Sequence, residues 1–245
     1  MIRKFCALVS TVFLTVQGAY AAPGVGEKVY GATVEAGKTE LEARYGRLSG
    51  GPADGEDGLV LEIAHGFSKH FYSAALFEFE REAGDSRRLA AIGLEGIVPI
   101  GRIDSLKLDV ALYGEFVFVR SGRDETEAKL LLQHKTGGFD SRLNLKFNRP
   151  LQSGAPVEVS YQASADWAIG GEFRAGVAAF GDLGSSDRLF PRAQHFAGPI
   201  VKTEIEHLPA NSELEIEAGY LRAIGAARDD TKGQFRLLLE WEFRF

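Results

Sequence analysis

The last stretch of the chain constrains the fold more than any other. Phe235, Leu237, Leu239, Trp241, Phe243 and Phe245 fall on one face of an extended backbone, and Gln234, Arg236, Glu240, Glu242 and Arg244 on the other; only Leu238 is out of step. A strand points successive side chains to opposite faces, so a period of two fits a strand lying between an apolar and a polar environment. The pattern returns at 105–119, where Leu106, Leu108, Val110, Leu112, Phe116 and Phe118 oppose Lys107, Asp109, Tyr113 and Glu115. It returns again where Leu143, Leu145 and Phe147 oppose Arg142, Asn144 and Lys146. Followed along the chain, the alternation predicts strands at about 38–48, 58–66, 72–82, 88–98, 105–119, 125–135, 139–148, 156–165, 168–180, 197–206, 213–223 and 233–245. Twelve strands is the reading adopted, with ten and fourteen left open. The average of about 19 residues per strand and connection suits tilted, membrane-length strands.

The first 21 residues are of another kind. Met1-Ile2-Arg3-Lys4 is basic, Phe5 to Val16 is an apolar run broken only by Ser and Thr, and Ala19-Tyr20-Ala21 has the small-x-small form of a signal-peptidase site. Cleavage is expected after Ala21, leaving 22–245 as one exported domain. Cys6 lies in the expected leader, so the mature chain has no thiol for a disulfide, a nucleophile or a cysteine-ligated metal. Without Arg3 and Lys4 the chain keeps 26 bases against 34 acids, a net charge of about −8, which argues against a nucleic-acid partner.

No later segment reaches the roughly 18 apolar residues of a membrane-spanning helix. The connections separate into two kinds. Those at 49–56, 150–155, 181–196 and 226–231 are long, whereas those at 67–71, 136–138, 166–167 and 208–212 are short; 82–86 and 99–104 depart from the trend. Long loops at one end and short turns at the other suit an antiparallel transmembrane barrel with both termini in the periplasm. A soluble barrel of twelve strands would enclose more volume than its side chains fill. A membrane barrel covers its apolar face with lipid, and Tyr45, Phe77, Phe79, Phe116, Phe118, Phe147, Tyr161 and Tyr220 stand on that face as girdle residues do.

Glu240-Trp241-Glu242-Phe243-Arg244-Phe245 resembles the C-terminal signature of Gram-negative outer-membrane barrels. The resemblance implies an all-β outer-membrane barrel whose Trp241, Phe243 and Phe245 are read by the barrel-assembly machinery, and which lies among membrane lipid and lipopolysaccharide. Val29-Tyr30-Gly31, the run from Val34 to Glu42, and Gly198-Pro199 are further similar to barrels near the meta-pathway phenol-degradation porins. That likeness implies no substrate and no site residues.

Catalytic patterns are missing from the sequence. None of His65, His70, His134, His195 and His207 has a serine at the spacing of the outer-membrane phospholipases, and Ser68 with His70 stands in the reverse order. A triad assembled from distant strands stays open. No EF-hand or paired-histidine spacing points to a metal, and no cofactor is expected. Gly93, Gly96, Gly114, Gly170, Gly171, Gly176 and Gly219, in or beside strands, suit the bending of a curved sheet.

The lumen carries the remaining expectation. Alternation turns Glu204, Glu215, Glu217 and Glu240 inward on neighbouring strands, with Arg236 among them. Lys107, Lys129, Arg142 and Lys146 come from the facing wall with Asp109 and Glu115, and Glu172 and Arg174 from the ninth strand. Acidic and basic walls would select small polar or aromatic solutes for uptake. Alternatively the charges pair across the interior and plug it, leaving a structural barrel that binds through its loops, chiefly Arg188, Phe190, Arg192 and Phe196. A lipid-modifying enzyme is the third and weakest reading.

Overall fold

The computed structural model describes residues 22–209 and 211–244. Twelve long strands form one antiparallel sheet: β1 (Lys38–Ser49), β2 (Asp57–Ser68), β3 (Phe71–Arg81), β4 (Arg88–Ile103), β5 (Leu108–Val119), β6 (Glu125–Thr136), β7 (Phe139–Pro150), β8 (Glu158–Gly170), β9 (Phe173–Ser185), β11 (Gln194–Leu208), β12 (Ser212–Gly225) and β13 (Gly233–Arg244). The two-residue β10 (Arg188–Leu189) only folds the β9–β11 loop back on β9. The sheet closes because β1 pairs with β13, from Lys38 opposite Arg244 to Ser49 opposite Gly233, while every other long strand pairs with its neighbours in sequence. The twelve are 11 to 16 residues long, enough for a tilted strand to cross a hydrocarbon layer. Closure leaves no edge unpaired in lipid, which a membrane sheet requires.

The alternation sorts side chains as the sequence analysis expected. Leu61, Ile63, Phe77, Leu94, Leu112, Phe147, Val177, Val201, Phe235 and Trp241 are exposed on the outer face. Glu42, Arg44, Glu62, Glu95, Lys129, Asn144, Gln162 and Arg236 are buried inside. This inversion of the soluble pattern is the physical mark of a barrel solvated by lipid. No helix among the described residues is long and apolar enough to cross a membrane.

Two connections differ from expectation. The eighth strand runs through Asp166 and Trp167, and the turn comes at Gly171 and Glu172, where glycines with positive φ allow the reversal. The stretch at 99–104 is mostly strand, since β4 continues to Ile103 past a bulge at Pro99 and Gly101. A short 3₁₀ turn, η1 (Asp104–Leu106), then leads through Lys107 into β5. Every connection at that end is therefore short. The opposite, loop end carries the longer connections, including a second 3₁₀ turn, η2 (Ala226–Asp229).

Residues 22–37 are the unexpected element. They form no strand, and they run through the barrel interior. Val25 packs with Leu48, Phe180, Phe196 and Leu221 at the loop end, and Tyr30 and Ala32 pack with Tyr72, Ile97, Ala111, Tyr113 and Leu131 deeper in the barrel. The Gly37 N–H then donates to Gly66 O at the turn end, at 2.7 Å, before β1 begins. The chain thus threads its own barrel from loop end to turn end. The wall makes room with lumen-facing glycines: a Cβ on Gly46 would lie 2.8 Å from Val25 Cα, and one on Gly66 1.9 Å from Glu35 O.

Candidate functional site: an occupied lumen

An extended segment points consecutive side chains in opposite directions, and Glu27 and Lys28 use this to meet opposite walls. Lys28 turns to β1, β2 and β13. Its Nζ is 2.7 Å from Glu42 Oε2 and 3.6 Å from both Glu62 Oε1 and Glu240 Oε2. Arg44 completes the cluster at 3.1 Å from Glu42 and 3.0 Å from Glu62. The Tyr72 hydroxyl donates to Glu62 at 2.7 Å. Glu27 turns to β7, accepting from Lys146 Nζ at 3.0 Å, and Lys146 also binds Glu127 at 2.7 Å.

The neighbouring part of the barrel holds the segment by its backbone. Asn144 on β7 accepts from the Tyr30 N–H at 2.8 Å and donates to Tyr30 O at 3.0 Å, a two-point clamp that completes one residue's backbone hydrogen bonding as a strand would. Gln133 on β6 accepts from the Ala32 N–H at 3.0 Å, and its amide donates to Asp140. Arg142 reaches Val29 O at 3.4 Å, Arg236 donates to Glu27 O at 3.1 Å, and Gln234 donates to Pro23 O at 2.6 Å. Glu35 is held by Arg244 at the turn end. Two ammonium groups lie over the Tyr30 ring, Lys28 Nζ at 4.8 Å and Lys129 Nζ at 4.5 Å from its centroid, and its hydroxyl donates to Glu95 at 2.8 Å.

The residues singled out by sequence fall into three groups. Lys129, Arg142, Lys146, Glu217, Arg236 and Glu240 line the interior within the network, Glu217 holding Arg236 at 3.0 Å and Lys202 at 3.4 Å. Glu115 accepts from the Tyr113 hydroxyl at 2.6 Å, and Glu215 faces inward on β12 between Glu204 and Glu240 of the adjacent strands. Asp109, Arg174 and Glu204 lie toward the turn end, Asp109 with Arg102 at 3.1 Å and Arg174 with Asp166 at 2.5 Å. Lys107 and Glu172 do not line the wall. Lys107 closes η1 with a left-handed backbone and is exposed, and Glu172 sits in the β8–β9 turn near Glu204 and Glu206.

The basic wall is also less basic than expected. Glu127 neutralises Lys129 at 2.8 Å, and Asp140 holds Arg142 at 2.9 Å. Trp241 and Phe243 are on the outer face with rings 5.8 Å apart; Phe245 and the expected cleavage site lie outside the described residues, apart from Ala22. Sequence reasoning missed the segment itself, together with Asn144 and Gln133 as its clamps. On the β7–β8 wall, the buried atoms Asn148 Oδ1, Gln162 Oε1 and Ser164 Oγ have no hydrogen-bond partner among the described residues.

No family model and no curated protein matches the chain. Solved structures do. The chain is similar to a KdgM porin in complex with disordered oligogalacturonate, at TM-score 0.55 and 12% identity over 84% of this chain and 99% of that one. It is similar to the NanC porin at TM-score 0.54 and 12% identity, over 84% of this chain and 100% of that one. It is also similar to the COG4313 outer membrane channel from Pseudomonas putida F1, at TM-score 0.57 and 11% identity over 92% of this chain and 100% of that one. At such identities the likeness is one of fold: this chain has the architecture of outer-membrane porin and channel barrels.

Proposed function

We propose that the protein is a non-enzymatic outer-membrane channel for small polar solutes, closed at rest by its own residues 22–37. The observation that carries this reading is the match of charge between segment and lumen. Lys28 completes a pocket of three carboxylates, and Glu27 completes the site around Lys146. A barrel built only as a scaffold has no need of an interior whose charges are answered by a separate, non-strand stretch of chain. Were the segment to leave, it would uncover Glu42, Glu62 and Glu240 facing Lys129 and Lys146, a transverse arrangement that favours polar and charged solutes. The unpartnered amide and hydroxyl oxygens of Asn148, Gln162 and Ser164 supply further polar contacts along β7 and β8. In this reading the loop end faces the exterior, as the longer loops of such barrels do, and both chain ends of the barrel wall are periplasmic. The leader ends at Ala21, and the terminal aromatic strand with Phe245 serves assembly.

The test is single-channel recording in planar bilayers of the chain beginning at Ala22 and of the same chain lacking 22–36. Expected are brief or rare steps for the first and long-lived steps for the second, with cation preference reduced by Glu42→Gln. A deletion variant that folds and inserts but stays silent would sink the channel reading. It would favour the second one, a structural barrel, to which the ion pairs of Lys28, Arg44, Lys146, Lys202 and Arg236 in the interior lend support.

A further inference from the structure

On the outer face at the loop end, β11, β12, η2 and the loop leading into β13 form a groove of about 550 Å³ whose lining includes Ala197, Arg222, Ile224, Arg228 and Lys232. Its origin is in the register. Arg222 is opposite Ala197 on one side and Gly233 on the other, so the long arginine stands between two positions with little or no side chain. Arg228, in η2, is tied to β12 by a hydrogen bond from its Nε to Ala223 O at 3.2 Å, and Lys232 precedes Gly233 at the start of β13. Arg47 adds a fourth cation, outward on β1 and directly opposite Phe235.

These four cations differ from other bases near this rim. Arg81 and Arg87 are both spent on Asp57, and Arg192 on Asp229. Arg47, Arg222, Arg228 and Lys232 are exposed and make no ion pair among the described residues. The carboxylates of the adjoining loop are engaged elsewhere, Asp229 by Arg192 and Asp230 by Gln194. One row toward the barrel's middle the surface becomes apolar. Tyr220 and Phe235 are cross-strand partners with ring centroids 4.7 Å apart, and Pro199, Val201 and Leu237 continue the outward face.

Cations immediately above an aromatic row mark the level of lipid headgroups on a membrane barrel. Guanidinium groups bind phosphate through paired N–H donors, and a groove free of competing carboxylate suits a doubly charged phosphate more than a single diester. We infer that this groove is a binding site for the phosphomonoester headgroup of a multi-acylated membrane glycolipid, with Arg222, Arg228 and Lys232 on the phosphate and the acyl chains along Tyr220, Phe235 and Leu237. The assignment to the outer leaflet rests on the orientation proposed above.

The test is native mass spectrometry of the detergent-purified mature barrel titrated with bisphosphorylated lipid A, the same lipid dephosphorylated, and phosphatidylglycerol. Bisphosphorylated lipid A is expected to bind with one-to-one stoichiometry. Loss of the charge-assisted hydrogen bonds in an Arg222→Ala, Arg228→Ala, Lys232→Ala variant should weaken it about tenfold or more. The ion-paired control Arg88→Ala, whose partner Glu82 is outside the groove, should bind as the parent does. All three substitutions are on the exposed rim; heat-modifiable gel migration checks folding, and single Arg222→Gln serves if the triple variant is misfolded. Equal binding by the variant, or equal binding of the dephosphorylated lipid or of phosphatidylglycerol, would overturn the assignment. Orientation is read separately. The mature chain has no cysteine, so Ser186→Cys can be labelled in intact cells with an impermeant maleimide. Absence of labelling would refute the orientation while leaving the binding result intact.

Discussion

The two sides of the lumen grip the same segment by different means. On β1, β2 and β13 the contact is between charges: one ammonium, Lys28, among Glu42, Glu62 and Glu240. On β6 and β7 a single ion pair, Glu27 with Lys146, stands beside a grip made by amides, with Asn144 and Gln133 taking the place of a neighbouring strand for Tyr30 and Ala32. The difference bears on how each contact fails. A buried charge cluster that loses its cation is left with uncompensated negative charge, and an amide clamp that is lost leaves two neutral groups without partners. The first costs more per residue removed, because desolvated charge is the most expensive thing to leave unpaired.

The sharpest way to break the comparison is therefore Lys28→Ala. The Glu42 and Glu62 side chains are 1% exposed, and Arg44 would be their remaining cationic partner. Removing one partner of a buried ion cluster costs about 3–5 kcal/mol. Thermal unfolding by gel migration should register this loss, and channel recordings should show increased opening. If Lys28→Ala unfolds no more readily than the parent, charge is not what holds the segment on that side.

Asn144→Ala tests the opposite wall. The Tyr30 N–H and C=O would both lose their partner in a buried site, at about 1–2 kcal/mol each for neutral groups, so a loss of about 2–4 kcal/mol is expected. A double-mutant cycle with Lys28→Ala should be non-additive, because once either wall lets go the other has less to hold. Strict additivity would mean that the two grips act on independent parts of the chain.

How much of this was legible in the sequence follows from the same contrast. The barrel was, because lipid outside and charge inside impose a period of two that Phe235 to Phe243 and Leu108 to Phe118 carry openly. The strand ends drifted where turn chemistry is ambiguous, as at Asp166-Trp167, which looks like a turn and is strand. The charged half of the site was partly legible too, since parity alone sends Glu217, Arg236 and Glu240 inward. The amide half was not. An asparagine facing a lumen reads as generic polarity, and 22–37 has no period because its residues meet different walls in succession. One signal was present in the wall. Gly46 and Gly58 are cross-strand partners and Gly66 lies further along β2 on the same lumen-facing side, and they leave space that the segment fills.

Those glycines permit a test that touches neither charge nor amide. Gly66→Ala would put a methyl group 1.9 Å from the Glu35 backbone oxygen, and since no flexible side chain can give way there, the segment must shift at the turn end. Overpacking of this kind costs about 1–3 kcal/mol. Gly114→Ala, with nothing within 4 Å, is the matched control and should be neutral by the same unfolding measurement. If both variants behave alike, the passage of the segment beneath β2 is wrong.

The smallest effect is expected at the loop end, where the segment begins under residues that belong to neither wall. Arg192 binds Asp229 at 2.7 Å, and these hydrogen bonds hold the Asp229 carboxyl below its ordinary range. A carboxyl whose folded value is depressed contributes stability that is fully present above its unfolded value and is lost as pH falls through the folded one. Loosening of the loop after β10 is therefore expected only below the usual carboxylate range. Both groups are fully exposed, so the effect belongs to the loop and not to the barrel. Glu56, which lines a cavity with Ala22, titrates the other way: burial and the carboxylates of Glu82 and Asp230 raise it, so its ionisation opposes folding as pH rises. Limited proteolysis across the acid range should find the Arg192 loop more open in Asp229→Asn than in the parent at neutral pH, with the two converging in strong acid. Glu56→Gln should be slightly more stable than the parent near neutrality. A neutral-pH destabilisation by Glu56→Gln comparable to that of Asn144→Ala would move the main anchor of the segment from the lumen walls to the loops, and the contrast between charge and amide would then describe only its lower half.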